Sequence, residues 1–265
     1  MTEIFSLTSG DSPLILSMPH PGTGLPREID AALTDRGRLV GDTDWHMRAL
    51  YRPVEERFRP SVIEAKLSRY VIDLNRDPSG VSLYPGQATT ELVPMTTFDG
   101  TPIWQVPPDA DEVARRRARY FQPYHDALAG EIARVKQRHG FCLLWDCHSI
   151  KSRIARLFEG ELPMLNLGTN GGASCAPGIQ TAAEQAMAGT GLTHVSNGRF
   201  KGGWITRFYG RPADRVHAIQ MELSLAGYLA AEEPPWTFAP HVAQPLQQAL
   251  ETIIAASLAS AESLP

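Results

Sequence analysis

Two histidines each follow a strongly apolar stretch and open a polar turn. His20 comes after PLILSM and stands in PHPG, and His148 comes after FCLLW and stands in DCHS. Two imidazoles, one carboxylate and a water form the common catalytic zinc arrangement, which keeps one coordination position open. Either histidine alone could simply hydrogen-bond a loop backbone. Neither stands in HExxH, but the two together favour a metal site.

The third metal ligand is expected from the segment GDTDWH, which offers Asp42, Asp44 and His46. Asp42 could instead cap a helix, because Asp side chains satisfy the free amides at helix starts. Asp44 is therefore our predicted carboxylate ligand. Asp146, two residues before His148, is predicted to orient an imidazole through its ring N–H. A plain hydrogen bond within a loop is the alternative for Asp146.

Glu222 lies near the end of the apolar stretch HAIQMELS. On a strand it would share one face with Ala218 and Gln220. Burying an unpaired carboxylate is costly, so this side chain is either exposed at an edge or kept for a purpose. The purpose we predict is general-base catalysis, in which Glu222 accepts a proton from the attacking water and passes it to the leaving amine.

A further group of polar residues could bind an anionic substrate. Arginine forks suit carboxylates, and a neighbouring Asn can hold a second oxygen. Each arginine could equally be a surface residue paired with a nearby aspartate. The loops NGRFKGG and ITRFYG could close over the substrate, and they also contain Arg199 and Tyr209. The predicted substrate-binding residues are Arg69, Asn75, Arg76, Lys201 and Arg207.

Other active-site patterns are not found in the sequence. There is no GxSxG nucleophile motif, and GTNGG lacks the lysine of a P-loop. Cys147 beside His148 could form a nucleophilic pair, but residues adjacent on a strand point to opposite faces. The pattern therefore favours metal-dependent hydrolysis over these alternatives.

Apolar stretches that alternate with helical patterns predict an α/β fold, with a mainly parallel or mixed central sheet and helices on both faces. No linker or repeat stands out, so one domain is expected over residues 1–265. Residues 109–139 give the strongest helix pattern, and residues 81–108 predict a long loop. Ligands bind such sheets beyond the carboxyl ends of the strands. The predicted strands include residues 13–18, 61–65, 70–74, 141–145 and 216–223.

The composition is that of an ordinary soluble protein, with 43% hydrophobic residues and a net charge of -4. This charge does not suggest binding to nucleic acid or to an anionic membrane. No run approaches the roughly 20 apolar residues of a membrane span, and the start resembles no secretory signal. The three cysteines form no disulfide framework. A cytoplasmic protein acting on a small molecule is expected, in an oligomeric state that the sequence does not indicate.

Several motifs, taken together and in order, resemble the N-formylglutamate amidohydrolases (deformylases). The likeness covers residues 12–228 and is far more specific than any single motif. The motifs are SMPHPGTGLP, GDTDWH, SRYVIDLNRDPSG, SLYPGQ, LLWDCHSIKS, LNLGTNGGASCAP, NGRFKGGWITRFYG and HAIQMELS.

This resemblance implies a fold similar to that of the zinc carboxypeptidases. It also implies hydrolysis of N-formyl-L-glutamate to L-glutamate and formate, the last step of one histidine-degradation route. The zinc ligands would be His20, His148 and Asp44, with Glu222 as general base. The pair formed by residues 75 and 76 resembles the carboxylate clamp of carboxypeptidase-like enzymes. The carboxypeptidase HxxE spacing is absent after His20, so the metal carboxylate must come from elsewhere.

Two alternatives stay open on the sequence. One is a related metalloamidase that acts on another N-acyl amino acid, such as an aspartate derivative. The other is a metal-free binding protein for small dicarboxylates. Glu222 together with His20 and His148 argues against the second, because a protein that only binds anions has no use for a buried carboxylate at that place.

Overall fold

The computed structural model describes residues 3–83, 86 and 89–264. The strands are β1 (Phe5–Thr8), β2 (Leu14–Met18), β3 (Ser61–Ala65), β4 (Cys142–Ile150), β5 (Leu165–Gly168), β6 (His194–Ser196) and β7 (Val216–Ser224). They form a seven-stranded sheet in the order β1–β3–β2–β4–β7–β5–β6. β3, β2, β4 and β7 run parallel, whereas β1 is antiparallel to β3 and β5 is antiparallel to β7. The predicted mixed sheet is therefore confirmed.

Helices cover both faces of the sheet, as predicted. The helices are α1 (Arg27–Asp30), α2 (Asp35–Arg38), α3 (Met47–Phe58), α4 (Ala110–Arg116), α5 (Gln122–His139), α6 (Pro177–Ala188), α7 (Trp204–Tyr209) and α8 (Pro240–Glu262). Alternation along β2 places Leu14 and Leu16 in one apolar cluster, with residues of α3, α6 and α8. It places Ile15 in another, with residues of α1, α5 and α7.

The long helix predicted over residues 109–139 is present as α4 and α5, joined by a π-helical turn at Arg117–Phe121. The Asp109 side chain accepts a hydrogen bond from the Glu112 amide and caps the start. Gly140, with φ 80°, ends the helix in a left-handed conformation that glycine adopts without steric cost.

The central strand β4 is longer than predicted, and this changes where the polar residues lie. The expected strand ended at residue 145, but β4 continues to Ile150 with every residue buried. Its whole length pairs with β7, and this pairing keeps it extended past Asp146. Alternation then puts Asp146 and His148 on one face and Cys147, in an apolar cluster, on the other.

The strand predicted at residues 70–74 is wrong, because these residues form turns. The Val71 amide donates to the Ser68 carbonyl, and the Asn75 amide donates to the Asp73 carboxylate. Tyr70 and Val71 are buried in the core without belonging to a ladder. The apolar run thus reflects burial of a turn, which periodicity alone cannot distinguish from a short buried strand.

The long loop predicted at residues 81–108 has no helix or extended strand among its described residues. The motif SLYPGQ falls partly outside the described residues, at Tyr84, Pro85 and Gln87. Within the described part of the chain, the helices are all too short or too polar to cross a membrane.

Candidate active site

His20, Asp44 and His148 meet at the carboxyl end of the central strands. His20 follows β2, and its carbonyl accepts a hydrogen bond of 3.0 Å from the Asp44 amide, which fixes the two residues side by side. His148 projects from β4. Its Nδ1 lies 3.1 Å from Asp44 Oδ2, and His20 Nδ1 lies 3.7 Å from the same oxygen. All three side chains are buried, and their ligating atoms lie within 4.8 Å of one another.

The donor atoms of this cluster fit a divalent metal. His20 Nδ1 and Asp44 Oδ1 are buried and have no hydrogen-bond partner, although buried polar atoms are nearly always paired. Burial would raise the pKa of Asp44, but hydrogen bonds and charge from His148 and His20 outweigh it and lower that pKa to about 2. The carboxylate is thus ionised at neutral pH. Two imidazoles and a carboxylate are a donor set that zinc and related divalent ions accept.

Each of the two histidines is also paired with its own further carboxylate, at the ring nitrogen Nε2. His20 Nε2 lies 2.7 Å from Asp73 Oδ1, and His148 Nε2 lies 3.1 Å from Asp146 Oδ2. Such pairs fix the ring and leave its other nitrogen, here Nδ1, facing Asp44, where a metal ion could bind. Asp146 thus lies beside the imidazole of His148, and Asp73, which is not among the predicted site residues, lies beside that of His20.

Acidic residues also give this site an attraction for positive charge. Burial lowers the pKa of His148, but Asp146 and Asp44 outweigh burial and raise that pKa well above its ordinary value. The site therefore favours a cation, and a bound proton and a metal ion would compete for the same Nδ1 atom.

Asp42, the other acid of the GDTDWH segment, lies apart from this cluster. Its Oδ2 accepts a hydrogen bond of 2.9 Å from the Phe98 amide and so fastens the long loop. Asp42 is thus neither a helix cap nor a member of the group formed by His20, Asp44 and His148.

Glu222 lies on β7 beside His148, since the two residues are partners in the register of β4 and β7. Its side chain is 7% exposed. Burial raises the pKa of Glu222 to about 7, against the opposing charge of His148. A carboxyl group that titrates near neutrality can both accept and return a proton at physiological pH.

The cleft above this cluster carries positive charge. Arg69 Nη2 pairs with Asp73 Oδ2 at 2.6 Å, its guanidinium stacks on the Phe98 ring, and its Nε is buried without a hydrogen-bond partner. Arg76 donates to the carbonyl and hydroxyl oxygens of Thr90. The residues that line the cleft are His20, Arg69, Asn75, Arg76, Thr89, Thr90, Phe98, His148, Ile150, Leu157, Arg199, Phe200, Gly203, Gln220 and Glu222.

Asn75 lines the cleft, but its amide is engaged within the wall. Nδ2 lies 3.2 Å from Asp146 Oδ2 and 2.8 Å from His148 Nε2. Oδ1 accepts a hydrogen bond of 2.7 Å from the Ile205 amide in α7. The Asn75 side chain therefore connects His148 and Asp146 to the start of α7.

Lys201 and Arg207 are not among the described lining residues, whereas Arg199 is. Arg207 donates to the carbonyl oxygens of Gly202 and Leu83, which joins α7 to the long loop. Lys201 is exposed, and its carbonyl accepts a hydrogen bond from the Asn170 amide. The structure thus brings Arg69, Asn75 and Arg76 to the cleft but not the side chains of residues 201 and 207.

Comparison with known proteins gives one consistent result. The family model of N-formylglutamate amidohydrolase matches residues 12–229. The N-formylglutamate deformylase of Pseudomonas aeruginosa is 44% identical over 98% of this chain and 97% of that protein, and the one of Pseudomonas putida is 43% identical over the same shares. The crystal structure of N-formylglutamate amidohydrolase from Ralstonia eutropha superposes with a TM-score of 0.78 at 28% identity, over 96% of this chain and 97% of that one. The chain therefore belongs to the N-formylglutamate amidohydrolase family and is an amidohydrolase.

Proposed function

We propose that this protein hydrolyses N-formyl-L-glutamate to L-glutamate and formate with the help of a bound divalent metal ion, zinc in the first instance. The observation that carries this proposal is the buried cluster of His20, Asp44 and His148, with Glu222 beside it in an arginine-lined cleft. The relatives of near full length are named N-formylglutamate deformylases, which supports the same substrate.

The metal ion would be held by the Nδ1 atoms of His20 and His148 and by the carboxylate of Asp44. When bound, such an ion polarises a carbonyl oxygen and lowers the pKa of water. Asp73 and Asp146 keep the two rings in place from behind, at the distances given above.

Glu222 is the proposed general base. It takes a proton from the water that attacks the formyl carbon, and it then delivers this proton to the nitrogen when the C–N bond breaks. Formate and the free amine of L-glutamate are the products. A pKa of about 7 suits both halves of this transfer, because the group holds and releases a proton at similar cost.

The substrate carries two carboxylates, and the cleft offers cations for them. Arg69 and Arg76 are the proposed carboxylate partners, and Arg199 and Phe200 also line the cleft. Asn75 would act indirectly, because its side-chain amide contacts Asp146 and His148 and helps to hold them in place. Lys201 and Arg207 stay predictions of substrate binding, and Arg207 would act by holding the long loop at Leu83.

A small acyl pocket is proposed from the apolar lining residues Phe98, Ile150, Leu157 and Phe200. A formyl group is smaller than an acetyl group by one carbon, and one such carbon gives about 1–3 kcal/mol of discrimination in a fitted pocket. We further propose that the reaction serves histidine degradation in the cytoplasm. Deletion of the gene should then cause N-formyl-L-glutamate to accumulate in cells that grow on histidine.

Formate release by the purified protein tests the proposal. The substrates are N-formyl-L-glutamate, N-acetyl-L-glutamate and N-formyl-L-aspartate, each with untreated protein, chelator-treated protein and treated protein with zinc restored. Chelator-sensitive turnover of N-formyl-L-glutamate above the other two is expected. Faster turnover of another acyl amino acid would keep the chemistry and change the substrate. Hydrolysis of none of them, even with zinc restored, would refute the proposal.

A further inference from the structure

Gln220 lies two residues before Glu222 on β7, so both side chains point to the same face of the sheet, towards the cleft. Gln220 is 4% exposed, and both ends of its amide are engaged. Nε2 donates a hydrogen bond of 3.1 Å to Glu222 Oε2, and Oε1 accepts one of 2.7 Å from the Gly203 amide. A side chain held at both ends in this way cannot rotate without losing a bond.

The hydrogen bond from Gln220 bears directly on the orientation of the Glu222 carboxylate. Among the residues that the structure describes, Gln220 gives the one hydrogen bond made to the Glu222 carboxylate. Rotation about the last torsion of a glutamate is soft and broadly distributed. A donor that holds Oε2 therefore limits the directions in which the second oxygen, Oε1, can point.

We propose that Gln220 is a positioning residue for the general base. Its N–H group holds Oε2 of Glu222, so that Oε1 is turned towards the attacking water. The inference rests on the proposed function, since it takes Glu222 as the base.

The other end of Gln220 is bonded to the start of α7. The Gly203 amide that donates to Gln220 lies just before α7, and the Ile205 amide in the same helix donates to Asn75. Asn75 in turn contacts Asp146 and His148. The start of α7 thus holds two amide side chains. One is Gln220, beside Glu222, and the other is Asn75, beside His148.

The first test compares Gln220→Met with a matched control, Gln180→Met. Gln180 on α6 also accepts one hydrogen bond, from the Thr169 hydroxyl, and donates one to a carboxylate, that of Glu184. It does not line the cleft. We expect Gln220→Met to lower kcat for N-formyl-L-glutamate about 10- to 100-fold while KM changes less than about 2-fold, because a misdirected base slows the chemical step alone. Bound zinc and Tm should match those of Gln180→Met, which should keep the wild-type kcat.

A double-mutant cycle with Glu222→Gln separates positioning from a merely structural role. If Gln220 acts through the base, Gln220→Met should cost less than about 2-fold in kcat once Glu222 is already Gln. An equal loss of kcat in both backgrounds would overturn the inference, and so would wild-type kcat in Gln220→Met itself. Should Gln220→Met fail to fold, Gln220→Asn keeps an amide in the wall and enters the same cycle.

The failure of the underlying function would look different. If Glu222→Gln alone keeps the wild-type kcat, the base assignment is wrong and the role of Gln220 falls with it. If Glu222→Gln loses turnover but Gln220→Met does not, the base stands and only the positioning role is wrong.

Discussion

His148 on β4 and Glu222 on β7 are direct partners in the register of two parallel strands at the centre of the sheet. Neighbouring strands lie about 4.8 Å apart, so the separation between the proposed metal ligand and the proposed base is set by backbone hydrogen bonding. Loop conformations do not enter into it. This relationship makes each of the two residues testable by substitution, because the strands themselves do not depend on either side chain.

Glu222→Gln should lose most turnover and keep its metal. The substitution preserves shape and hydrogen bonding but removes the ability to take a proton, so kcat should fall about 10²- to 10⁴-fold. Steady-state kinetics and zinc analysis of the same preparation check this. Glu184→Gln, on the half-buried face of α6 away from the cleft, is the control. A near-normal kcat in Glu222→Gln would show that the base is another group.

His148→Ala should lose bound zinc. Only His20 and Asp44 would then remain as ligands, and two ligands hold zinc far less tightly than three. Zinc content after dialysis is the measurement, with His194→Ala, an exposed histidine on β6, as the control. A full equivalent of zinc in His148→Ala would exclude this residue from the metal site.

Asp73→Asn should weaken zinc binding about 10- to 100-fold without removing a ligand, because the His20 ring loses the carboxylate that orients it. The dissociation constant can be measured by competition with a chromogenic chelator. Asp77→Asn, four residues further along the chain and bonded to Ser79, is the matched control. Equal zinc affinities of Asp73→Asn and Asp77→Asn would mean that Asp73 acts only as an ion-pair partner of Arg69 and Arg76.

Arg76→Met should raise KM about 10- to 100-fold and change kcat much less, because the variant loses a charge-assisted bond to a substrate carboxylate. Methionine retains the apolar stem, so packing against the loop is kept. Arg115→Met on α4 is the control, since that arginine is exposed and paired with Glu112. An unchanged KM in Arg76→Met would mean that this arginine only holds the loop, through its hydrogen bonds to Thr90.

His125 should make stability depend on pH. Burial lowers its pKa from 6.5 to about 4, although its hydrogen bond to the Leu74 carbonyl opposes this. The unfolded chain therefore binds this proton more readily, and stability that is fully present above pH 6.5 is lost as the pH falls towards 4. From pH 7 to pH 5 the loss is about 2 kcal/mol. Urea unfolding of wild type and His125→Gln measures it, and parallel pH profiles for the two proteins would contradict the assignment.

Residue type and order along the chain predicted much of this site. His20, Asp44, His148 and Glu222 were identified because imidazoles and carboxylates stood at the ends of apolar stretches, and the structure brings these four together. Their catalytic and metal-binding roles stay predictions.

The supporting residues could not be predicted in the same way. The bond between His20 and Asp73 joins residues 53 positions apart and exists only because residues 70–74 fold as turns. The apolar pattern there favoured a strand, on which Asp73 would have pointed elsewhere. For Gln220 the sequence indicates only that its side chain shares a face with Glu222, because spacing along a strand does not show which atoms an amide will bond.

Position 203 has no room for a side chain, so it must remain glycine. Its φ of −82° is open to any residue, yet a Cβ there would lie 2.6 Å from Cγ of Asn75. An alanine would displace Asn75 and, through it, the histidine that we assign to the metal. Directed evolution towards other acyl amino acids should therefore vary Arg199 and Phe200, a few positions earlier on the same cleft wall, while it leaves this glycine unchanged.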